Sequence, residues 1–237
     1  MKKGPVFETA CSHCQVRNQS VFHVLEQEGL SEMSLHKSCA MFRKGQYVFT
    51  ENGIPAGLYC VNSGKIKLTT TGPDGKEQIL RLAKSGDILG YRAMIAQERY
   101  HCSAVALEDA SICIIDKNYF FSQLETQPKL MFEVVKLLSR DLKTAESHIV
   151  SLSQKNVRER MAEALLFLKA TYGFEADGKT LHVTLSREEM ADYVGTSTES
   201  CIRLLSEFNA DGLVSLNGKK IALENTAALL RTAGLED

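Results

Sequence analysis

Two cysteines near the start of the chain, Cys11 and Cys14, are separated by two residues in the segment ETACSHCQVRNQS. A C-x-x-C pair is typical of a zinc site, an iron–sulfur cluster or a redox dithiol. Zinc requires two further Cys or His ligands, a cluster requires about four thiolates in all, and a thioredoxin-like dithiol requires a βαβ context. The pair therefore predicts metal or redox chemistry without choosing among these three kinds of site.

A second pair with chemical potential is Glu199 and Arg203, four residues apart in TSTESCIRLLSEF. Residues at i and i+4 share one face of a helix, so both side chains would project together. An arginine in such a place can pair with O6 and N7 of guanine, and a glutamate can accept a hydrogen bond from the amino group of cytosine. The alternative is an ordinary surface ion pair, worth roughly a few tenths of a kcal/mol.

The elements that must position this pair form a predicted winged helix-turn-helix. Ser186 and Ser197 are predicted helix caps, and Gly195 permits the tight turn between the two helices. LHVTL before them is predicted to be a strand, and the Asn-Gly step in GLVSLNGKKIALE predicts the hairpin of the wing. Arg187 and the two wing lysines would hold phosphates. We predict DNA contacts from Ser186, Arg187, Thr196, Ser197, Thr198, Glu199, Ile202, Arg203, Lys219 and Lys220.

A long helix is predicted before this domain, and its apolar residues follow the alternating spacing of four and three that defines a coiled-coil seam. Every residue of the seam is uncharged, and charged residues occupy the other faces of the helix. The seam predicts a homodimer; the alternative is a helix that packs on its own domain. The seam residues are Met131, Val135, Leu138, Leu142, Ala145, Ile149 and Leu152.

Short β-branched and aromatic segments separated by glycines fill the chain from residue 41 to about 116. The turn GPDG at 72–75 predicts a hairpin, and SAVALEDASICIID predicts two further strands. Such spacing is typical of a small antiparallel roll or barrel. Upstream, the segment SVFHVLEQEGLSEMS predicts one or two short helices, with Gly29 as a stop.

Composition narrows the class of protein. The chain has 237 residues with a net charge of −1, so any surface that binds nucleic acid must be local. No apolar run approaches the roughly 20 residues that span a bilayer, and the N-terminus does not resemble a secretory signal. We expect a cytoplasmic protein with no membrane partner, whose seven cysteines are thiols or ligands rather than structural disulfides.

These motifs, in their order along the chain, resemble the Crp/Fnr family of bacterial transcription regulators. The phrases that carry the resemblance are FRKGQYVFTENG, LYCVNSGKIKL, SGDILG, SQKNVRERMAEAL and LSREEMADYVGTSTESCIRLLSEFNADGLV. The resemblance implies an α+β fold with a sensor β-roll of the cyclic-nucleotide-binding, cupin-like type, a long dimerisation helix and a C-terminal winged helix-turn-helix. It also places the family's Glu-x-x-x-Arg recognition pair on Glu199 and Arg203. The Fnr branch has a serine where this chain has Ile202, so the preferred half-site is expected to differ at one position.

Four segments follow from this organisation. Residues 1–40 form an N-terminal cysteine-containing segment and residues 41–116 the β-roll. Residues 117–153 form the dimerisation helix and residues 154–237 the DNA-binding domain.

The resemblance also bears on the sensor. Relatives that bind cyclic AMP carry a glutamate and an Arg-Ser pair, whereas this chain reads GDILGYRAMIAQERYHCSAVAL, so cyclic AMP is not expected to bind. The Fnr branch instead holds an iron–sulfur cluster with four cysteines. Three of those positions fall on Cys11, Cys14 and Cys113, while the third in chain order falls on Ser20.

Several outcomes stay open for this incomplete set: a cluster, a zinc site, a dithiol or no metal. Further candidate ligands are His13, His23, Cys39 and Cys102. Cys60 and Cys201 lie on apolar faces and are predicted to be core residues.

The sequence thus predicts a homodimeric, sequence-specific DNA-binding transcription regulator that responds to a redox or small-molecule signal. Its expected partner is double-stranded DNA with a palindromic operator, and RNA polymerase is a further candidate. The alternative is a cyclic-nucleotide-binding regulatory module that acts through protein contacts. An enzyme is not expected, because β-roll oxygenases need a cluster of histidines and the predicted roll contains only His101.

Overall fold

A computed structural model describes residues 10–235, which group into two compact units. The first unit contains the chain up to Thr71 and Leu80–Lys143; the second contains Gly72–Ile79 and the chain from Thr144 onward. The division falls within the long helix, so the predicted boundaries at 40, 116 and 153 stay predictions. Residues 1–9 and 236–237, at the ends of the predicted first and last segments, lie outside the described residues.

Eight antiparallel strands build the roll as two four-stranded sheets, with orders β1-β8-β3-β6 and β2-β7-β4-β5. The predicted antiparallel β-roll is therefore confirmed, although its first strand begins before residue 41. The strands are β1 Lys37–Phe42, β2 Tyr47–Phe49, β3 Gly57–Ser63, β4 Ile66–Thr71, β5 Glu77–Ala83, β6 Ile88–Leu89, β7 Ser103–Ala106 and β8 Ala110–Asp116.

The turn GPDG joins β4 and β5, as its residue types predict. The Gly72 N–H donates to the Lys76 carbonyl at 2.9 Å, and Gly75 has φ +73°, a left-handed conformation that glycine adopts without a steric penalty.

Helices precede the first strand of the roll and follow its last strand along the chain. Gly29 was predicted to stop a helix, but it lies inside α1, and the carbonyl of Glu26 bonds to Leu30 across it. A glycine lowers helix stability by only about 1 kcal/mol, which burial of Leu30 and Met33 offsets. From residue 10 onward this part of the chain contains the 3₁₀ helices Cys11–His13, Arg17–Gln19 and Val21–Val24 and the α-helices α1 Gln27–Leu35, α2 Tyr91–Ile95, α3 Lys117–Thr126 and α4 Pro128–Gln154.

The helical region from residue 117 is two helices rather than one. The break falls at Gln127, where φ is −120° and ψ is 85°. A residue before proline is disfavoured in the helical region, and proline itself suits the first position of a helix. Pro128 therefore ends α3 and begins α4.

The second unit contains the predicted helix-turn-helix and wing. Leu181–Leu185 was predicted to be a strand, but only isolated bridges form there, between Phe174 and Leu181 and between Thr180 and Ala222. Every second side chain of this segment is buried, namely Leu181, Val183 and Leu185, as in an extended strand. The segment is not a strand because no neighbouring segment pairs with it along its length. The elements are α5 Val157–Tyr172, α6 Arg187–Val194, α7 Thr198–Ala210, β9 Val214–Asn217, β10 Lys220–Leu223 and α8 Thr226–Thr232.

Within residues 10–235, no helix combines the length and the apolar character that crossing a bilayer requires.

Candidate functional site

Local hydrogen bonds fix the two helices of the helix-turn-helix. The Ser186 hydroxyl accepts from the Glu189 N–H at 3.0 Å, and the Glu189 carboxylate accepts from the Ser186 N–H at 2.8 Å, which completes a capping box. Ser197 caps α7 by accepting from the Ser200 N–H at 3.2 Å. Gly195 ends α6 with φ +73°, so the turn adopts the left-handed conformation that its glycine predicts.

Arg160 on α5 holds the same turn from outside the motif. Its guanidinium donates three hydrogen bonds to backbone carbonyls: to Val194 at 2.9 Å, to Gly195 at 3.0 Å and to Lys155 at 2.8 Å. Sequence reasoning missed this residue, because two of its partners lie 34 and 35 residues away and no local pattern connects them.

The α7 helix buries one face and presents the predicted recognition residues on the other. Its buried residues include Cys201, which was predicted to be a core residue, and Phe208. The Arg203 side chain is 72% exposed and Ile202 is 47% exposed. Both therefore lie at the surface beside the exposed Glu199.

The charges of Glu199 and Arg203 do not pair with each other among the described contacts. Arg203 Nε lies 4.0 Å from Glu207 Oε1, and Glu207 is also 3.2 Å from the guanidinium of Arg158. A bond from its own backbone N–H, followed by the Ser197 hydroxyl, holds the pKa of the Glu199 carboxyl below its ordinary value. Glu199 is therefore an ionised hydrogen-bond acceptor at neutral pH.

The other predicted DNA contacts divide between exposed and internally bonded residues. Lys219 is exposed in the wing turn, whereas Lys220 Nζ lies 2.7 Å from Glu175 Oε2. The Arg187 guanidinium donates to the Gly218 carbonyl at 2.9 Å and so supports the wing. Thr196 is buried and Thr198 is half-buried. Of the basic residues predicted to contact DNA, Arg203 and Lys219 are thus the two that most clearly face solvent.

A second candidate site is a cavity of about 50 Å³ in the first unit, lined by four thiols. Cys11 and Cys14 come from the N-terminal segment, Cys60 from β3 and Cys113 from β8. Cys60 and Cys113 are cross-strand partners in the register of these two strands. The fold therefore brings three of the predicted ligands together, and it adds one cysteine that the sequence analysis assigned to the core.

Specific contacts seat the N-terminal segment on the roll. The Cys11 N–H donates to the Ser34 hydroxyl at 2.9 Å, and the Cys14 thiol donates to Asn62 Oδ1 at 3.7 Å. A Cβ added to Gly86 would lie 2.9 Å from the Cβ of Gln19, so the segment approaches this turn closely where a side chain would not fit.

Ser20, which occupies the remaining Fnr-type cysteine position, also borders the cavity. Its hydroxyl donates to the Arg17 carbonyl at 2.8 Å and accepts from the Phe22 N–H at 3.2 Å. Ser20 is therefore the cap of the 3₁₀ helix that follows it.

Burial and neighbouring thiols shift the pKa values of the groups at the cavity. Burial raises the pKa of the Cys60 thiol well above its ordinary value, and neighbouring thiols add to this effect. Burial, together with a hydrogen bond to Cys39, raises the pKa of Cys113 to about 12. Burial alone would lower the pKa of the Lys37 ammonium, but the nearby thiols raise it. Cys60 and Cys113 are thus neutral thiols, Arg17 and Lys37 place positive side chains at the cavity wall, and a bound metal would favour the ionised form of the thiols.

The remaining candidate ligands lie off the cavity wall. Cys39 is next to it, with its sulfur 2.8 Å from that of Cys113. Cys102 belongs to a different apolar cluster, and His13 and His23 are exposed. Within residues 10–235, no three His, Cys, Asp or Glu side chains are grouped tightly enough to hold a single metal ion.

Inside the roll, aromatic rings pack where the strands face one another. Phe49 stacks on Tyr100 at 4.1 Å between ring centroids and lies 5.3 Å from Tyr59. Arg99 lies two or three residues before the position at which relatives that bind cyclic AMP carry the Arg-Ser pair, and it donates to the Asn52 carbonyl at 2.8 Å. That cyclic AMP does not bind stays a prediction.

The long helix α4 has two apolar faces. Leu130 and Val134 are buried against the core of the first unit, with Leu137 and Leu138 partly buried beside them. Packing of the helix on its own domain was the alternative to the dimer seam; the first face does pack in this way, and Leu138, one of the predicted seam residues, is partly buried against the same core. The other seam residues are exposed in the single chain, among them Leu142 at 61% and Ile149 at 65%.

Comparison with known proteins gives consistent matches along the chain. Residues 40–127 match the cyclic nucleotide-binding domain family, and residues 159–232 match the Crp-like helix-turn-helix domain family. The chain is 29% identical to the anaerobic regulatory protein of Aggregatibacter actinomycetemcomitans, over 94% of this chain and 88% of that protein. It is also 29% identical to the fumarate and nitrate reduction regulatory protein of Vibrio cholerae, over 95% of this chain and 90% of that protein.

Solved structures show the same fold. A transcriptional regulator of the CRP/FNR family from Thermus thermophilus matches with a TM-score of 0.70 and 25% identity, over 83% of this chain and 98% of that one. FixK2 from Bradyrhizobium japonicum matches with a TM-score of 0.74 and 22% identity, over 83% of this chain and 96% of that one.

Proposed function

The chain belongs to the Crp/Fnr family and is a DNA-binding transcription regulator, not an enzyme, and from this premise we propose how it reads DNA and senses its signal. Two protomers, paired along the exposed seam of α4, place two copies of α7 in successive major grooves of a palindromic operator. The activity belongs in the cytoplasm, where DNA and reduced thiols occur together. RNA polymerase stays a predicted partner.

The observation that carries the DNA-reading proposal is the exposed surface of α7. Arg203 projects a largely exposed guanidinium, and Glu199 projects an ionised carboxylate one turn away. Arg203 would pair with guanine and Glu199 with cytosine. Ile202 lies beside Arg203 and has no hydrogen-bonding group, so it would contact a thymine methyl group instead.

Replacement of Arg203 tests this proposal. Arg203→Ala should lose about 1–3 kcal/mol of specific binding free energy for each bidentate base contact, while the affinity for random DNA falls much less. Lys219→Ala is the matched control, since a phosphate contact from the exposed wing lysine should support specific and random DNA about equally. Both affinities can be measured by fluorescence anisotropy at one fixed salt concentration, because affinity for DNA depends steeply on salt. If Arg203→Ala kept the full preference for its operator, α7 would not be the reading element.

We further propose that the thiol-lined cavity is the sensor and that it holds an iron–sulfur cluster. The support is the donor set: four cysteine thiols border one cavity, which is the ligand number and type that such clusters use. Among the described residues the thiols are not grouped tightly enough for a single metal ion, and their spread around a cavity would suit a polynuclear cluster. The names of the relatives, which refer to anaerobic regulation and to fumarate and nitrate reduction, support a redox signal.

When bound, a cluster of this kind supplies redox and oxygen-sensitive chemistry. The chain's own residues hold it: Cys11 and Cys14 bring the N-terminal segment, Cys113 brings β8, and Lys37 places a positive charge beside the thiolates.

Chemical analysis of protein purified without oxygen tests the sensor proposal. Iron and sulfide in equal amounts, with a broad visible absorbance that air bleaches, are the expected result. Zinc without sulfide, or a complete lack of bound metal after reconstitution with iron and sulfide, would contradict it.

A further inference from the structure

The ligand set implied by the resemblance lacks one thiolate, because Ser20 stands at the position of a cysteine. A serine hydroxyl is a weaker ligand for iron than a thiolate, and this one is already committed to capping. It donates to one backbone carbonyl and accepts from one backbone N–H, so its two local bonds would have to break before it could bind a metal.

Cys60 supplies a thiol at the same cavity from a different part of the chain. It lies on β3 directly opposite Cys113 on β8, and both side chains border the cavity. Directly opposed residues of neighbouring antiparallel strands have Cβ atoms about 4.5–5.5 Å apart and point to one face of the sheet. Among the described residues the Cys60 thiol makes no hydrogen bond, whereas Cys14 and Cys113 each have a partner.

The alternatives fit this role less well. Cys39 flanks Cys113 on its other side, on the edge strand β1, and does not border the cavity. Cys102 packs in a separate cluster. His13 and His23 are exposed and do not line the cavity.

We propose that Cys60 is the fourth ligand and takes the place of the cysteine that Ser20 replaces. This inference rests on the proposed cluster site and changes its architecture: two thiolates come from the N-terminal segment and two come from the sheet. On binding, each of the four thiols loses its proton to solvent and each sulfur forms one bond to iron. Strand register holds Cys60 and Cys113, the sheet half of the site, opposite each other.

Reconstitution of single variants without oxygen tests the assignment, with iron and sulfide content and visible absorbance as readouts. Cys60→Ala should lower both contents at least tenfold, to the level of Cys113→Ala. Cys39→Ala and Cys102→Ala are matched controls on the same roll and should keep the wild-type contents. Thermal unfolding of each metal-free variant checks that it folds, and Cys60→Ser provides a second replacement of similar size in case the alanine variant does not fold.

A rescue experiment separates a ligand from a packing residue. The double variant Ser20→Cys/Cys60→Ala should regain the cluster, because position 20 borders the same cavity. Full iron and sulfide in Cys60→Ala would overturn the assignment while leaving the cluster itself intact. If folded Cys60→Ala loses the cluster and the added Ser20→Cys does not restore it, Cys60 has a packing role. That result would also overturn the assignment of Cys60 as a ligand. A wild-type protein that takes up no cluster would refute the sensor proposal and this inference together, and the DNA-reading proposal would stand apart from both.

Discussion

Arg160 shows how much one residue outside a motif contributes to its geometry. Its guanidinium spans the end of α6, the start of the turn and the end of the segment that leads into α5. A backbone carbonyl at the end of a helix has no partner within the helix, and a cation there also suits the negative end of the helix dipole. Arg160 supplies both the hydrogen-bond donor and the positive charge at the turn that sets the direction of α7.

Arg160→Ala should therefore destabilise the second unit by about 2–4 kcal/mol, since hydrogen bonds to charged groups contribute about 1.5–3 kcal/mol each and water replaces part of that. Urea unfolding of the full chain, followed by circular dichroism, measures the change. Lys179→Ala is the control, because its ion pair with Glu224 is exposed and its loss should leave the midpoint nearly unchanged. Equal midpoints for the two variants would show that the three bonds of Arg160 contribute little.

At the scale of elements, the helices of the second unit begin at capped positions. Asn156 and Ser186 each form a capping box with the glutamate three residues on, and Ser197 caps α7. These caps fix the residues at which α5, α6 and α7 start, and hence the direction in which Glu199 and Arg203 project. Ser186, predicted from sequence as a DNA contact, uses its hydroxyl oxygen to accept the Glu189 N–H.

Ser186→Ala should cost about 1 kcal/mol of stability through loss of the cap. Ser186→Asn is the matched variant and should recover most of it, since asparagine caps as well as serine does. Thermal unfolding measures both. A large loss of DNA affinity in Ser186→Ala that Ser186→Asn fails to restore would show instead that the hydroxyl contacts DNA.

For the whole molecule, α4 has one apolar face that packs on the roll and one that is exposed. Leu130 and Val134 attach the helix to the roll, and the Asp141 carboxylate accepts hydrogen bonds from Arg81 at 2.9 Å and from the Tyr91 hydroxyl. The exposed seam lies outside these attachments and contains no charged residue. Burying such a surface yields about 25 cal/mol per Å², which is enough for a stable pair over the six exposed seam positions of each chain.

Because no seam residue needs a metal to neutralise it, we predict a homodimer at micromolar concentration with or without a bound cluster. Light scattering on metal-free protein tests this prediction. A mass near 26.3 kDa, that of one chain, would show instead that the cluster controls dimerisation.

Ala145→Asp should convert this dimer to a monomer, because the two-fold axis would bring two carboxylates together in the seam at a cost of several kcal/mol. Ser147→Asp carries the same charge on the opposite side of α4 and should stay dimeric. If both variants kept the wild-type mass, the seam of α4 would not be the interface.

Local patterns in the sequence determined the parts of this protein that depend on neighbouring residues. Glycine turns predicted the roll, and the caps and glycine around 186–197 predicted the helix-turn-helix. Local patterns failed where packing or strand pairing outweighed local preference. Gly29 lies inside a helix, and Leu181–Leu185 has the alternation of a strand but no full partner strand. The break between α3 and α4 at Gln127 also follows from a local feature, the proline at position 128.

Only the tertiary structure decided which side chains of different strands and helices become neighbours. Cys60 and Cys113 are 53 positions apart, and strand register alone makes them neighbours at one cavity. The local pattern predicted Cys60 as a core residue, but its side chain is only half-buried and borders the thiol-lined cavity. Arg160 escaped for the same reason, because its carbonyl partners are set by the packing of α5 on α6. Periodicity reports which face of an element is buried, and only the fold determines which side chains meet there.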